Sequence, residues 1–103
     1  MRSLADDREL AMELLSAFLE DGPVRHAELG AAIAANDAET ASKRAHSLKG
    51  MCGVVRATAL LNLALGMEVA AREGDLARTR ENYARFTDLL AEAKAEIERF
   101  MQA

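Results

Sequence analysis

Apolar residues recur at spacings of three and four through almost the whole chain, a rhythm that restricts it to an all-helical fold. The pattern is clearest in residues 76–100, where Tyr83, Phe86, Leu89 or Leu90, Ala93, Ile97 and Phe100 mark one face. It is equally regular at Ala41, Ala45, Leu48, Cys52 and Val55, the inward seam of a helix packed in a bundle. Alanine and leucine dominate, and the aromatic residues are confined to Phe18, Tyr83, Phe86 and Phe100, which favours helix–helix packing over a sheet. No alternating strand pattern competes.

Caps and breakers divide this rhythm into five predicted helices. The first, about 6–20, turns Leu10, Leu14, Ala17 and Phe18 to one side and is broken at Asp21-Gly22-Pro23. Pro23 suits the first turn of the second, about 23–35, which buries Val24, Ala27, Ala31 and Ala34 or their neighbours. Asp37 caps the third, about 38–55, and Thr58 caps the fourth, about 58–73, with Leu60, Leu63, Met67 and Ala70 inward. Glu73-Gly74-Asp75 precedes the fifth, about 76–100. Short connections make antiparallel neighbours. The expected fold is an all-α, up-down-up-down antiparallel four-helix bundle with an additional N-terminal helix, one domain over residues 1–103.

A chain of 103 residues supports one core and has no room for separate cofactor and substrate domains. Cys52 is the single cysteine and falls on the core face, so no internal disulfide forms and a reducing, cytoplasmic setting is expected. No apolar run is long enough to span a bilayer and the start of the sequence lacks a basic-then-apolar signal. The net charge of −4 argues against general nucleic-acid binding. Residues 38–56, however, carry Lys43, Arg44, Lys49 and Arg56 against Glu39, a local charge of +3 that leaves −7 for the rest. Such a face suits an anionic ligand or an acidic protein surface; it also describes an ordinary solvated helix.

The chemistry concentrates in His46-Ser47-Leu48-Lys49-Gly50, followed by Gly53. At 100° per residue from His46, Lys49 falls at about −60°, Gly50 at about +40° and Gly53 at about −20°, so all four share one stripe opposite the apolar seam. Each glycine inside a helix costs roughly 0.5–1 kcal/mol relative to alanine. Two of them beside an exposed histidine point to access for another macromolecule. A neutral imidazole is a nitrogen nucleophile when a partner holds the proton on Nδ1 and leaves the Nε2 lone pair free. Glu68, one residue off the Leu60, Leu63, Met67 row, is the candidate partner, although an ordinary exposed carboxylate is the commoner reading of such a residue. Lys49, one turn from His46, can be the cation that phosphoryl transfer calls for.

Other chemistries fit the pattern less well. His26, His46 and Cys52 fall on different helices or faces, with no CxxC or HxxxH, so no metal site is expected. Ser47 diverges from His46 around the helix and has no strand–turn–helix elbow. There is no Gly-rich nucleotide loop.

His46-Ser47-Leu48-Lys49-Gly50 on the third predicted helix resembles the H-x-[LI]-K-G hallmark of the histidine-containing phosphotransfer (HPt) domains of bacterial and fungal phosphorelays. Phe18-Leu19-Glu20-Asp21, Ala34-Ala35-Asn36-Asp37 and Arg72-Glu73-Gly74-Asp75 resemble the family's punctuation, so the likeness covers nearly the whole chain. The resemblance implies that His46 takes a phosphoryl group on Nε2 from an aspartyl phosphate of a response-regulator receiver domain and passes it to another receiver. It implies a monomeric carrier with no kinase activity and no cofactor of its own, the Mg²⁺ lying on the receiver, and a hybrid sensor histidine kinase as a further partner. Lys49 matches the family's phosphate-neighbouring lysine, Gly50 the glycine that leaves room for the phosphoryl group, and Gly53 a small position. Glu68 matches a position where chemotaxis-type kinases place a glutamate on the reactive histidine and other members a glutamine. Arg56 stands where glycine is frequent and Met51 where a small residue is common; Lys43 and Arg56 join the binding face. The alternatives are a substrate domain of a chemotaxis-type histidine kinase and a helical interaction module that is never phosphorylated.

Overall fold

The computed structural model describes residues 4–102, with side-chain surroundings from residue 7 onward. Four helices make it up: α1 (Leu4–Ala34), α2 (Ala38–Val54), α3 (Thr58–Arg72) and α4 (Leu76–Gln102). The described residues contain no strand. Each helix packs on the next in the chain and α1 also packs on α4, so the four close into a ring around one core.

The three connections share one design. Asn36, Arg56 and Gly74 each take the left-handed conformation, with φ of 56°, 59° and 80°. Around them the backbone closes the same pair of bonds: Asp37 N–H to the Ala32 carbonyl and Asn36 N–H to Ile33, both at 3.0 Å; Ala57 to Cys52 at 2.9 Å and Arg56 to Gly53 at 3.1 Å; Asp75 to Ala70 at 2.8 Å and Gly74 to Ala71 at 3.0 Å. This double closure satisfies the last carbonyls of α1, α2 and α3 and leaves three residues between each helix and the next.

Asp37 caps α2 as expected, accepting from the Thr40 N–H at 3.1 Å and the Thr40 hydroxyl at 2.6 Å. Asp75 does the same for α4 through the Arg78 N–H at 3.0 Å. The expected Thr58 cap does not form. Thr58 is already helical, and Ala57 precedes α3 with no side-chain bond, because the turn at Arg56 takes up the residue that would have capped.

The break expected at Asp21-Gly22-Pro23 is also absent, and with it the additional N-terminal helix: α1 runs through Pro23 without interruption. A proline inside a helix forfeits one backbone bond and crowds the carbonyl four residues back, at a cost of about 3 kcal/mol. Pro23 is exposed, so the Leu19 carbonyl it leaves without a partner lies on the solvent side. The opposite face stays continuous, with Phe18, Gly22, Leu29 and Ile33 all buried. Burying that face as one rigid surface outweighs the lost bond.

Continuity also sets the phase of the second half of α1. Val24 is 57% exposed and Ala27, Ala31 and Ala34 face solvent, while their neighbours Leu29, Ala32 and Ile33 are buried. A helix restarted at Pro23 could have chosen another face; one propagated from Phe18 could not. Leu10 and Leu14 stay partly exposed.

The remaining apolar rows lie where the periodicity puts them. Ala41, Ala45, Leu48 and Cys52 are buried with Val55 packed beside them; Leu60, Met67 and Ala70 are buried, as are Phe86 and Leu90. Phe100 alone of the α4 row is largely exposed. A Cβ on Gly30 would overlap the Tyr83 hydroxyl, which donates to the His26 carbonyl at 3.1 Å; glycine is what lets α4 approach α1 there.

Candidate functional site

The buried seam of α2 turns His46 outward, its side chain 66% exposed. Two neighbouring helices hold the rotation of α2 at this point. Arg25 of α1 donates to the Ser47 hydroxyl, and on the other flank Glu68 of α3 meets His46 itself.

Glu68 is the centre of the site. Its side chain is 5% exposed, and Oε2 lies 3.0 Å from His46 Nδ1. An ionised carboxylate can only accept, so the imidazole proton sits on Nδ1 and the exposed Nε2 carries the lone pair. Lys49 Nζ lies 2.9 Å from Oε1, a charge contact set off the hydrogen-bonding direction. Arg72 Nη2 donates to Oε2 at 2.7 Å from one turn further along α3.

Burial is the largest single influence on the Glu68 carboxyl and pushes its pKa up. The pairings with Lys49 and His46 together outweigh it, and the carboxyl titrates below its ordinary value. Glu68 is thus a buried anion at neutral pH, the state required to hold a proton on Nδ1.

The structure therefore brings His46, Lys49 and Glu68 together. Gly50 and Gly53 lie on the same exposed stripe, and a Cβ on Gly50 would meet nothing within 4 Å. Among the described residues no packing calls for glycine at 50. Lys43 borders a cleft of about 330 Å³ with Ser42, His46, Glu68 and Arg72. Arg56 is not part of the Glu68 cluster, since it occupies the turn after α2, ten residues on from His46.

The basic face is largely neutralised within the fold. Lys43 pairs with Glu39 and Arg44 with Glu28 of α1, each at 3.4 Å, and Lys49 with Glu68. Lys43 and its partner are both strongly exposed, so that pair is easily exchanged for another anion.

The other chemistry-bearing residues lie apart. Cys52 is fully buried, and burial pushes its thiol up to about 11. His26 stacks on Tyr83 at 4.6 Å between ring centres, with Nε2 2.8 Å from the Thr87 hydroxyl. Among the described residues no group of three or more His, Cys, Asp or Glu side chains could hold a metal ion, and no helix is long and apolar enough to cross a membrane.

Arg72 is the member of the cluster that sequence reasoning missed. Its signal was its place four residues after Glu68, where a helix stacks two side chains on one face.

The sequence model of the Hpt domain matches residues 13–96. Comparison with curated proteins and with solved structures returned no match. The matched span contains every residue of the site on α1, α2 and α3, from Arg25 through His46 and Glu68 to Arg72. The chain belongs to the Hpt domain family, the histidine phosphotransfer domains of phosphorelays.

Proposed function

We propose that this domain is a phosphorelay intermediate that takes a phosphoryl group on His46 Nε2 from the aspartyl phosphate of one receiver domain and gives it to another. The observation that carries this reading is the exposed imidazole held at Nδ1 by a buried, ionised Glu68. In the transfer the Nε2 lone pair attacks phosphorus, the acyl P–O bond breaks, and its electron pair stays on the aspartate carboxylate. Nδ1 keeps its proton throughout. The ring becomes cationic as the P–N bond forms, and Glu68 faces that developing charge. Delivery to the second receiver is the reverse step.

Lys49, one helical turn from His46, is a cation beside this chemistry and serves the phosphoryl oxygens as well as Glu68. Gly50 and Gly53 keep the stripe low so that a receiver's aspartate can approach Nε2, with Lys43 and Arg56 meeting its acidic rim. The receiver brings the aspartate and the Mg²⁺. The three-residue connections support an up-down-up-down order of the helices, and the relay reading takes the domain to be a monomer working in the cytoplasm.

Glutamate at position 68 also favours a second reading, a substrate domain phosphorylated from ATP by a chemotaxis-type kinase. Incubation with a phosphorylated receiver is expected to give an acid-labile, base-stable label that His46→Gln lacks. Label that appears only with a kinase catalytic domain and ATP supports the second reading, and no label from either source refutes both.

A further inference from the structure

Arg72 has no task in the transfer as described, yet it holds the same oxygen as the reactive ring. Its Nη2 is 2.7 Å from Glu68 Oε2, and His46 Nδ1 reaches that oxygen at 3.0 Å. One carboxylate oxygen can accept both bonds, but each donor withdraws charge from the other. The two sides of the pair differ in freedom. Glu68 is buried and fixed by three helical positions, whereas the Arg72 side chain is 67% exposed on a long, flexible stem. It also lines the cleft that opens onto the imidazole, beside Ser42 and Lys43. Glu68 has Lys49 on its other oxygen, so it stays paired if Arg72 leaves.

We propose that Arg72 is a positioning residue that changes partner with the state of His46. While Nε2 is free, Arg72 shares Oε2 and weakens the hold of Glu68 on Nδ1–H. Once Nε2 carries the phosphoryl group, the guanidinium turns across the cleft to the phosphoryl oxygens, where its planar fork can make two parallel bonds. Oε2 is then left to the cationic ring alone. The exchange gives up one Arg72–Oε2 bond and gains two to the phosphoryl oxygens, while Oε2 tightens on the cationic ring, so Arg72 pulls the transfer equilibrium toward His46. No covalent bond beyond those of the transfer itself is made or broken.

This inference rests on phosphotransfer at His46, and the test separates the two. The whole domain, as wild type, Arg72→Ala and Arg72→Lys, is equilibrated with a phosphorylated receiver and the label on each partner is counted. Arg72→Ala is expected to lower the share on His46, shifting the equilibrium constant about fivefold toward the receiver. Arg72→Lys should recover part of that loss. In the unphosphorylated domain the His46 Nδ1–H proton resonance should move downfield in Arg72→Ala, as Oε2 is given to one donor, a change that a merely structural arginine would not produce. A wild type that labels while Arg72→Ala shows the same equilibrium constant, or an unmoved Nδ1–H resonance in a folded variant, overturns the role of Arg72 alone. A wild type that takes no label overturns the phosphotransfer reading and this inference with it.

Discussion

Glu68 Oε2 sits 3.0 Å from His46 Nδ1, joining two helices across twenty-two residues of sequence and fixing which imidazole nitrogen is free. The distance alone would permit either tautomer. The buried, ionised state of Glu68 decides between them, because a carboxylate has no proton to give. A conformational fact about α2 and α3 thereby becomes a chemical fact about Nε2.

Glu68→Gln retains an acceptor for Nδ1–H and removes the charge that faces the ring in the transfer. Transfer from a phosphorylated receiver should slow about tenfold, the worth of one charge-assisted hydrogen bond at roughly 1.4 kcal/mol. Single-turnover label transfer measures it. An unchanged rate would show that the carboxylate charge takes no part.

Gly50→Ala separates folding from docking. With open space around the added methyl, the variant should be more stable by up to about 1 kcal/mol in urea unfolding. Its transfer rate should nevertheless fall, because the methyl stands in the partner's approach. A variant both more stable and fully active would mean that the glycine serves no partner.

The buried carboxylate predicts a pH signature. Glu68 titrates below its ordinary value in the folded state, so the unfolded chain takes up the proton first. The stabilisation is fully present above about pH 4.5 and is lost as pH falls through the lower folded value. His26 adds a separate window: burial lowers its pKa from 6.5, so stability also declines as pH falls below that value toward the folded one. Urea midpoints across pH 7 to 3 should fall less steeply below pH 4.5 in Glu68→Gln than in wild type, and identical slopes would refute the assignment.

Two positions carry a backbone cost that substitution can relieve. Pro23→Ala restores the bond to the Leu19 carbonyl within continuous α1 and should stabilise by about 1–3 kcal/mol. Arg56→Gly frees a residue held at φ 59° and should add roughly 0.5–1 kcal/mol. Thermal unfolding reports both; loss of stability in Pro23→Ala would indicate a helix that starts at residue 23. A slower transfer in Arg56→Gly would place Arg56 on the docking surface.

The parts of the fold legible in the sequence were those that depend on local rhythm. The α2 seam at Ala41, Ala45, Leu48 and Cys52 lies within one helix, so its periodicity alone places His46 outward. Pro23 misled because its local cost is real, and only the tertiary burial of Phe18 through Ile33 shows that it is outweighed. Glu68 could be named as a candidate but not distinguished from a surface carboxylate, since its burial depends on how α3 is rotated against α2. Arg72 passed unnoticed for the same reason: its value comes from an oxygen that it shares with a ring on another helix.

The most direct measurement is nitrogen–phosphorus correlation NMR on the ¹⁵N-labelled domain after transfer from a phosphorylated receiver. The phosphoryl group should couple to His46 Nε2, with the proton retained on Nδ1 and bonded to Glu68. Coupling to Nδ1, or phosphate on any residue other than His46, would contradict the account.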